Sequence, residues 1–218
     1  MALILGIDDA GRGPVIGPMV LAGVLMDEHE EIELKELGAK DSKLLTPEKR
    51  RKIGDQVLKR FEHHIEVSSP KEIDDSDNLN YLEAVKTAMI INKLIINTIG
   101  VTKAIVDCPS VNIEKWSNDV QKLIEKPEKV NLVCEHKADF NHLVVAAASI
   151  IAKEKREEEM FKIKFKIQED CGSGYPADPK TKEFLKDNHN NPKYKDIIRF
   201  SWKTIKNLQS AKNQKKLF

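Results

Sequence analysis

Two short apolar runs end in aspartate, Gly6-Ile7-Asp8-Asp9 and Ile105-Val106-Asp107, and a further aspartate, Asp139, directly precedes an apolar stretch with helical character. In open α/β sheets the ligand crevice lies beyond the carboxyl ends of the strands, so these four side chains can meet there. Carboxylates gathered in one place repel and shift one another's pKa unless something neutralises them, and the natural neutraliser is a hard divalent cation with oxygen ligands. Two such ions held together can activate a water and stabilise the leaving oxygen in phosphodiester hydrolysis. Taken singly, each aspartate serves equally well as a strand-end turn former or helix cap; their shared placement is what points to metal chemistry.

Other residues gain meaning beside that cluster. Gly11-Arg12-Gly13 lets a backbone come close to a sugar-phosphate, although a glycine pair is more often simply a turn. Ser42 and Lys43, in a polar loop, suit phosphate contacts or plain solvation. Tyr175, between Gly174 and Pro176, can present its ring to a sugar or base, or fill a tight turn. His63, His64 and His142 have no partner that the sequence identifies, and they read as strand or surface residues.

The elements that must position these groups follow from patterning. Leu3 to Ile7 and Val15 to Leu25 are apolar runs around a turn signal at residues 10–14, which predicts a hairpin. Thr46 before Pro47 predicts a capped helix to about Arg60. Phe61 to Ser68 reads as a strand and Leu79 to Ile99 as a helix closed by Gly100. Lys103 to Val106 is a strand, Ile113 to Ile124 a helix, and Val130 to Cys134 another strand. A long helix begins near Asn141, apolar at first and heavily charged from Lys153 to Asp170. After the turn-forming Gly172-Ser173-Gly174-Tyr175-Pro176 come short helices around Thr181 to Asp187 and Trp202 to Leu208. Alternation of strands and helices predicts an α/β protein with a mixed or partly parallel sheet.

Composition bounds the rest. The chain has 218 residues, 40% hydrophobic and 33% charged, enough apolar material for a core and no sign of general disorder. Its apolar runs fall short of the roughly 20 residues of a membrane span, and the N-terminus carries no targeting pattern, so a soluble protein without membrane contact is expected. Three scattered cysteines form no disulfide frame and no zinc motif, consistent with a reducing cytoplasm. Residues 171–218 hold 11 Lys and Arg against 4 Asp and Glu, which leaves 25 basic against 31 acidic for residues 1–170. A basic end beside an acidic body suits a cation site next to a surface that meets a polyanion. The expected division is an α/β body over residues 1–165 and a basic helical region over 166–218.

At the level of motifs the sequence resembles the ribonuclease HII (type 2 ribonuclease H) family in its archaeal form. The resemblance rests on residues 6–18, Lys40-Asp41-Ser42-Lys43, Val106-Asp107 and Glu135-His136-Lys137-Ala138-Asp139. It continues through residues 147–153 and 172–179 to Trp202-Lys203-Thr204. It implies a ribonuclease H-like fold with a central five-stranded mixed sheet and a C-terminal helical region. The implied reaction is hydrolysis 5′ of ribonucleotides in RNA–DNA hybrids or embedded in duplex DNA, by a monomer using Mg2+ or Mn2+ and leaving 3′-hydroxyl and 5′-phosphate ends. By position, Asp8, Asp9, Asp107 and Asp139 are the implied metal-binding carboxylates. Gly11, Arg12 and Gly13 are the implied readers of the ribose 2′-hydroxyl, and Tyr175 lies under the following deoxyribose. The family normally carries glutamate after the first aspartate; Asp9 is one methylene shorter. At the end of the chain, Gln214, Leu217 and Phe218 resemble a sliding-clamp binding motif that has lost one aromatic. Other readings are a different carboxylate nuclease or strand-transfer enzyme of the same fold group, and a non-catalytic hybrid-binding module.

Overall fold

A computed structural model describes residues 2–39 and 45–215, with side chains through residue 210. Five strands, β1 (Leu3–Ala10), β2 (Met19–Asp27), β3 (Glu62–Ser68), β4 (Thr102–Asp107) and β5 (Val130–Glu135), form one sheet in the order β3-β2-β1-β4-β5. The helices are α1 (Glu31–Leu37), α2 (Pro47–Arg60), α3 (Pro70–Asp75), α4 (Leu79–Ile95), α5 (Ile113–Gln121), α6 (Ala138–Asn141), α7 (Leu143–Ile167), α8 (Pro179–Asn188) and α9 (Lys203–Lys215). β1 runs antiparallel to β2 and parallel to β4, and β4 is parallel to β5. The α/β class and the mixed five-stranded sheet expected from sequence are therefore present.

Register decides which face each carboxylate meets. Ile4, Gly6, Asp8 and Ala10 pair with Met26, Val24, Ala22 and Val20. The aliphatic members of this set share one core with Val144, Val145, Ala147 and Ala148 of α7. Gly6 makes this close approach possible, because a Cβ there would lie 2.4 Å from the backbone carbon of Val144. Strand alternation sends Leu5, Ile7 and Asp9 to the opposite face. There a Cβ on Gly23, the partner of Ile7, would meet Ile90 of α4 at 2.3 Å.

Several expected boundaries shift for identifiable reasons. The second strand starts at Met19 rather than Val15, because Pro14 and Pro18 offer no ladder N–H and Gly17 N–H is spent on Ile197 O at 2.8 Å. The fourth helix stops at Ile95, not Ile99. Thr98 turns back on it, with its N–H 3.0 Å and its hydroxyl 2.9 Å from Ile95 O, and Gly100 takes φ +86° beyond the helix rather than capping it. The helix from Ile113 likewise ends at Gln121. The cap at Thr46 forms as expected, its hydroxyl oxygen accepting from Lys49 N–H.

The chain divides into two compact units. The first, residues 1–10, 20–66 and 78–155, contains most of the sheet. The second, residues 11–19, 67–77 and 156–218, has its own core of Val15, Ile16, Met160, Phe184, Tyr194, Ile198 and their neighbours. Phe184 and Tyr194 pack edge to face in it, with ring centroids 4.9 Å apart. Among the described residues no helix is long and apolar enough to cross a membrane.

Candidate active site

The first unit assembles the acidic residues. Asp8, near the end of β1, is 5% exposed and takes a hydrogen bond from the Ser149 hydroxyl of α7. Ser149 in turn accepts from Lys153 Nζ at 2.8 Å, and Asp9 N–H donates to Asp8 Oδ1 at 2.7 Å. Burial first, then the charges of Asp9 and Asp107, hold the Asp8 carboxyl well above the ordinary carboxylate range, with the Ser149 and Asp9 hydrogen bonds opposing the shift. Asp107, at the end of β4, accepts from Ala138 N–H at 3.0 Å, which ties the segment carrying Asp139 to the neighbouring strand end. Glu135, at the end of β5, fixes the following turn: its Oε1 lies 2.9 Å from Asn141 Nδ2 and 3.1 Å from His142 Nε2. Asp139 sits in the short helix α6, entered through Lys137 in the left-handed region at φ +60°.

Asp8, Asp9 and Asp107 also line a cavity of about 10 Å³, close to the space that one water needs, together with Glu83, Thr87 and Trp116. Glu83 is 1% exposed and was missed by sequence reasoning. Its signal was available, since it falls on the apolar stripe of α4 in step with Leu79, Thr87, Ile90 and Leu94. Among the described residues no three acidic, histidine or cysteine side chains stand close enough to form a finished metal cage. The donor set nevertheless suits a hard divalent cation. It is all oxygen, and it centres on a buried carboxyl whose ionised form its neighbours disfavour, the penalty that a bound cation removes.

The second unit assembles the glycine turn and the tyrosine. Gly11 takes φ +87°, and the loop is shaped by Arg199, a fully buried residue whose Nε donates to Gly17 O at 2.9 Å, Nη1 to Arg12 O at 2.9 Å and Nη2 to Gly11 O at 2.6 Å. Trp202 stacks on its guanidinium at 4.9 Å and donates from Nε1 to Gly13 O at 3.1 Å. Sequence reasoning also missed Arg199. The signal is a cation embedded in Ile197-Ile198-Arg199-Phe200, where a solvated charge is out of place.

Tyr175, 44% exposed, stands on a loop held by Thr181, whose hydroxyl accepts from Gly174 N–H and donates to Cys171 O, each at 3.0 Å. Asp178 caps α8 and receives Ser173 N–H at 2.6 Å, and hydrogen bonding by the Ser173 side chain first, then by this N–H, pulls its carboxyl down to about 2. A Cβ built on Gly13 would have Tyr175 Cε1 4.0 Å away, so the turn and the ring are neighbours within this unit. Ser42, Lys43, Leu217 and Phe218 lie outside the described residues, and Gln214 falls in the last turn of α9. Of the histidines, His64 faces Glu66 at 2.8 Å and His63 faces Phe61 O at 3.0 Å, structural pairings that local sequence did not reveal.

A mixed sheet in the order 3-2-1-4-5 with carboxylates at the ends of its central strands defines a nuclease of the ribonuclease H-like class. Residues 5–205 match the family model described as ribonuclease HII, and the chain belongs to that family of metal-dependent hydrolytic endonucleases, acting on RNA–DNA hybrids and on ribonucleotides embedded in DNA. It is 39% identical over 214 residues to ribonuclease HII of Methanobrevibacter smithii, covering 95% of this chain and 99% of that protein. The crystal structure of ribonuclease H2 from Pyrococcus horikoshii is similar with a TM-score of 0.82 and 35% identity, over 96% of this chain and 98% of that one. A PCNA:RNase HII complex from Archaeoglobus fulgidus is similar at 0.81 and 36%, over 92% and 95%. A Bst-RNase HIII structure in complex with Mn2+ shares the fold at a TM-score of 0.79 with 20% identity, over 96% of this chain and 70% of that one.

Proposed function

We propose that Asp8, Asp9, Asp107 and Asp139 are the catalytic carboxylates and that cleavage falls on the 5′ side of the ribonucleotide, leaving 3′-hydroxyl and 5′-phosphate ends. The observation that carries this reading is the Asp8 carboxyl, buried at a central strand end beside Asp9 and Asp107 and braced by Ser149 and Lys153. Two Mg2+ or Mn2+ ions on these oxygens would supply Lewis acidity for an attacking water and a departing oxygen. Ser149 orients Asp8, and the Asp107 bond to Ala138 N–H keeps the Asp139 segment beside its strand.

In the same reading Gly11, Arg12 and Gly13 read the ribose 2′-hydroxyl, Tyr175 supports the deoxyribose that follows, and Ser42 and Lys43 contact phosphates. A partner sliding clamp is supported by the C-terminal residues Gln214, Leu217 and Phe218 and by the existence of a PCNA complex of a relative. The protein acts as a cytoplasmic monomer. One gel tests the core of this reading: duplex DNA with a single ribonucleotide, an RNA–DNA hybrid and plain DNA, each with and without Mg2+ or Mn2+. Cutting 5′ of the ribonucleotide only when metal is present is the expected result; metal-independent cutting, or cutting on the 3′ side, would overturn it.

A further inference from the structure

One side chain touches both parts of the second unit's reading surface. Arg156 of α7 is 7% exposed, and its Nη2 donates to Ser173 O at 2.9 Å. Its guanidinium carbon lies 5.1 Å from the centroid of the Tyr175 ring. Its stem closes against the glycine turn, since a Cβ on Gly11 would fall 2.4 Å from both Arg156 Cδ and Nε, and one on Gly174 would lie 3.3 Å from Nη2. A planar guanidinium can stack on a ring while its fork holds a carbonyl, which a flexible ammonium cannot do with one geometry. Arg156 Nε is buried with no hydrogen-bond partner among the described residues, so arginine is not kept here for saturated hydrogen bonding.

We propose that Arg156 is a positioning residue that sets the Gly11 turn and the Tyr175 ring as one rigid reader, and so governs the preference for a single embedded ribonucleotide. The inference rests on the reading of Gly11–Gly13 and Tyr175 given above. Arg156 acts through Tyr175, so removing the tyrosine should remove most of the effect of changing the arginine.

The test is a double-mutant cycle on two substrates, duplex DNA with one ribonucleotide and a continuous RNA–DNA hybrid, with kcat and KM measured for the parent, Arg156→Lys, Arg156→Met, Tyr175→Ala and the double variants. Arg156→Lys keeps the charge and most of the stem but loses the planar fork, which makes it the deciding variant. It should lower the single-ribonucleotide to hybrid ratio of kcat/KM about tenfold, mainly through kcat, and lower it less than about twofold further in the Tyr175→Ala background. Equal losses on both substrates, additivity with Tyr175→Ala, or a lysine variant that fails to fold would each overturn the inference in favour of a structural role. If Tyr175→Ala itself leaves the ratio unchanged, the assignment of Tyr175 as junction reader fails and the inference falls with it. If Tyr175→Ala shifts the ratio and Arg156→Lys does not, only the role of Arg156 is lost.

Discussion

Asp8 and Arg199 are both buried charged residues, and their surroundings treat them oppositely. Around Asp8 the neighbours include two further carboxylates, and the Ser149 and Asp9 hydrogen bonds do not offset burial and repulsion. Around Arg199 three backbone carbonyls fill the guanidinium fork and an indole covers its face. The first arrangement carries an electrostatic penalty that a bound cation would remove, and the second is complete in the protein alone. The comparison separates two tasks that one nuclease must perform. In the proposed reading, chemistry calls for charge held ready for a cation, whereas recognition calls for a backbone whose shape is fixed beforehand.

The largest expected effect breaks the acidic side. Asp8→Asn, Asp107→Asn and Asp139→Asn should each reduce kcat by about a thousandfold, on the order of 4 kcal/mol of barrier, with circular dichroism unchanged. Cleavage within tenfold of the parent in all three would refute a shared metal site. On the other side, Arg199→Met should destabilise the protein by about 3 kcal/mol in a denaturant titration, because three carbonyls lose a buried donor. Stability within about 0.5 kcal/mol of the parent would show that water replaces the fork.

Two smaller effects sharpen the acidic half. Asp9→Glu restores the side chain usual in the family and should raise kcat a few-fold or relax the metal requirement; a strong loss would show that the backbone has adapted to aspartate. In metal-free protein, Asp8→Asn should raise Tm at neutral pH by on the order of 2 °C. The sign follows from linkage. A carboxyl whose folded pKa lies above its unfolded value binds more protons folded than unfolded, so its ionisation weakens the native state as pH rises through the window. The gain should therefore be full above the raised pKa, fade as pH falls through it, and vanish below the ordinary aspartate value. Added Mg2+ should stabilise the parent more than the variant, and a pH-independent difference would refute the charge argument. The smallest effect is at the end of the chain. Deleting residues 213–218 should leave cleavage of a short free duplex within about twofold while abolishing co-elution with a sliding clamp. Clamp binding that survives the deletion would rule out the tail.

The meeting of Asp8, Asp9 and Asp107 was legible because strand ends announce themselves locally, an apolar run closing on Asp8-Asp9 or Asp107. The sheet and most helices were legible for the same reason, down to the Thr46 cap. Glu83, Ser149 and Arg156 were not singled out, since their roles depend on which helix face meets which strand, and register settles that rather than pattern. Apolar periodicity carries the Leu79 helix on to Ile99, while the Thr98 bonds to Ile95 O that end it are invisible in a hydropathy pattern.

The bonds from Arg199 span 182, 187 and 188 residues of chain. For contacts so distant in sequence a long loop must close before they yield anything. The bonds to the Asp8 and Asp107 carboxyls come instead from Asp9, Ala138 and Ser149, all of which precede Arg199 in the chain. The glycine turn's carbonyls, Arg12 O and Gly11 O, are engaged by a residue 187 and 188 positions further along the chain. A chain that stopped before residue 199 would thus keep every group that holds those carboxylates but lose both the guanidinium and the indole that engage the carbonyls of the glycine turn.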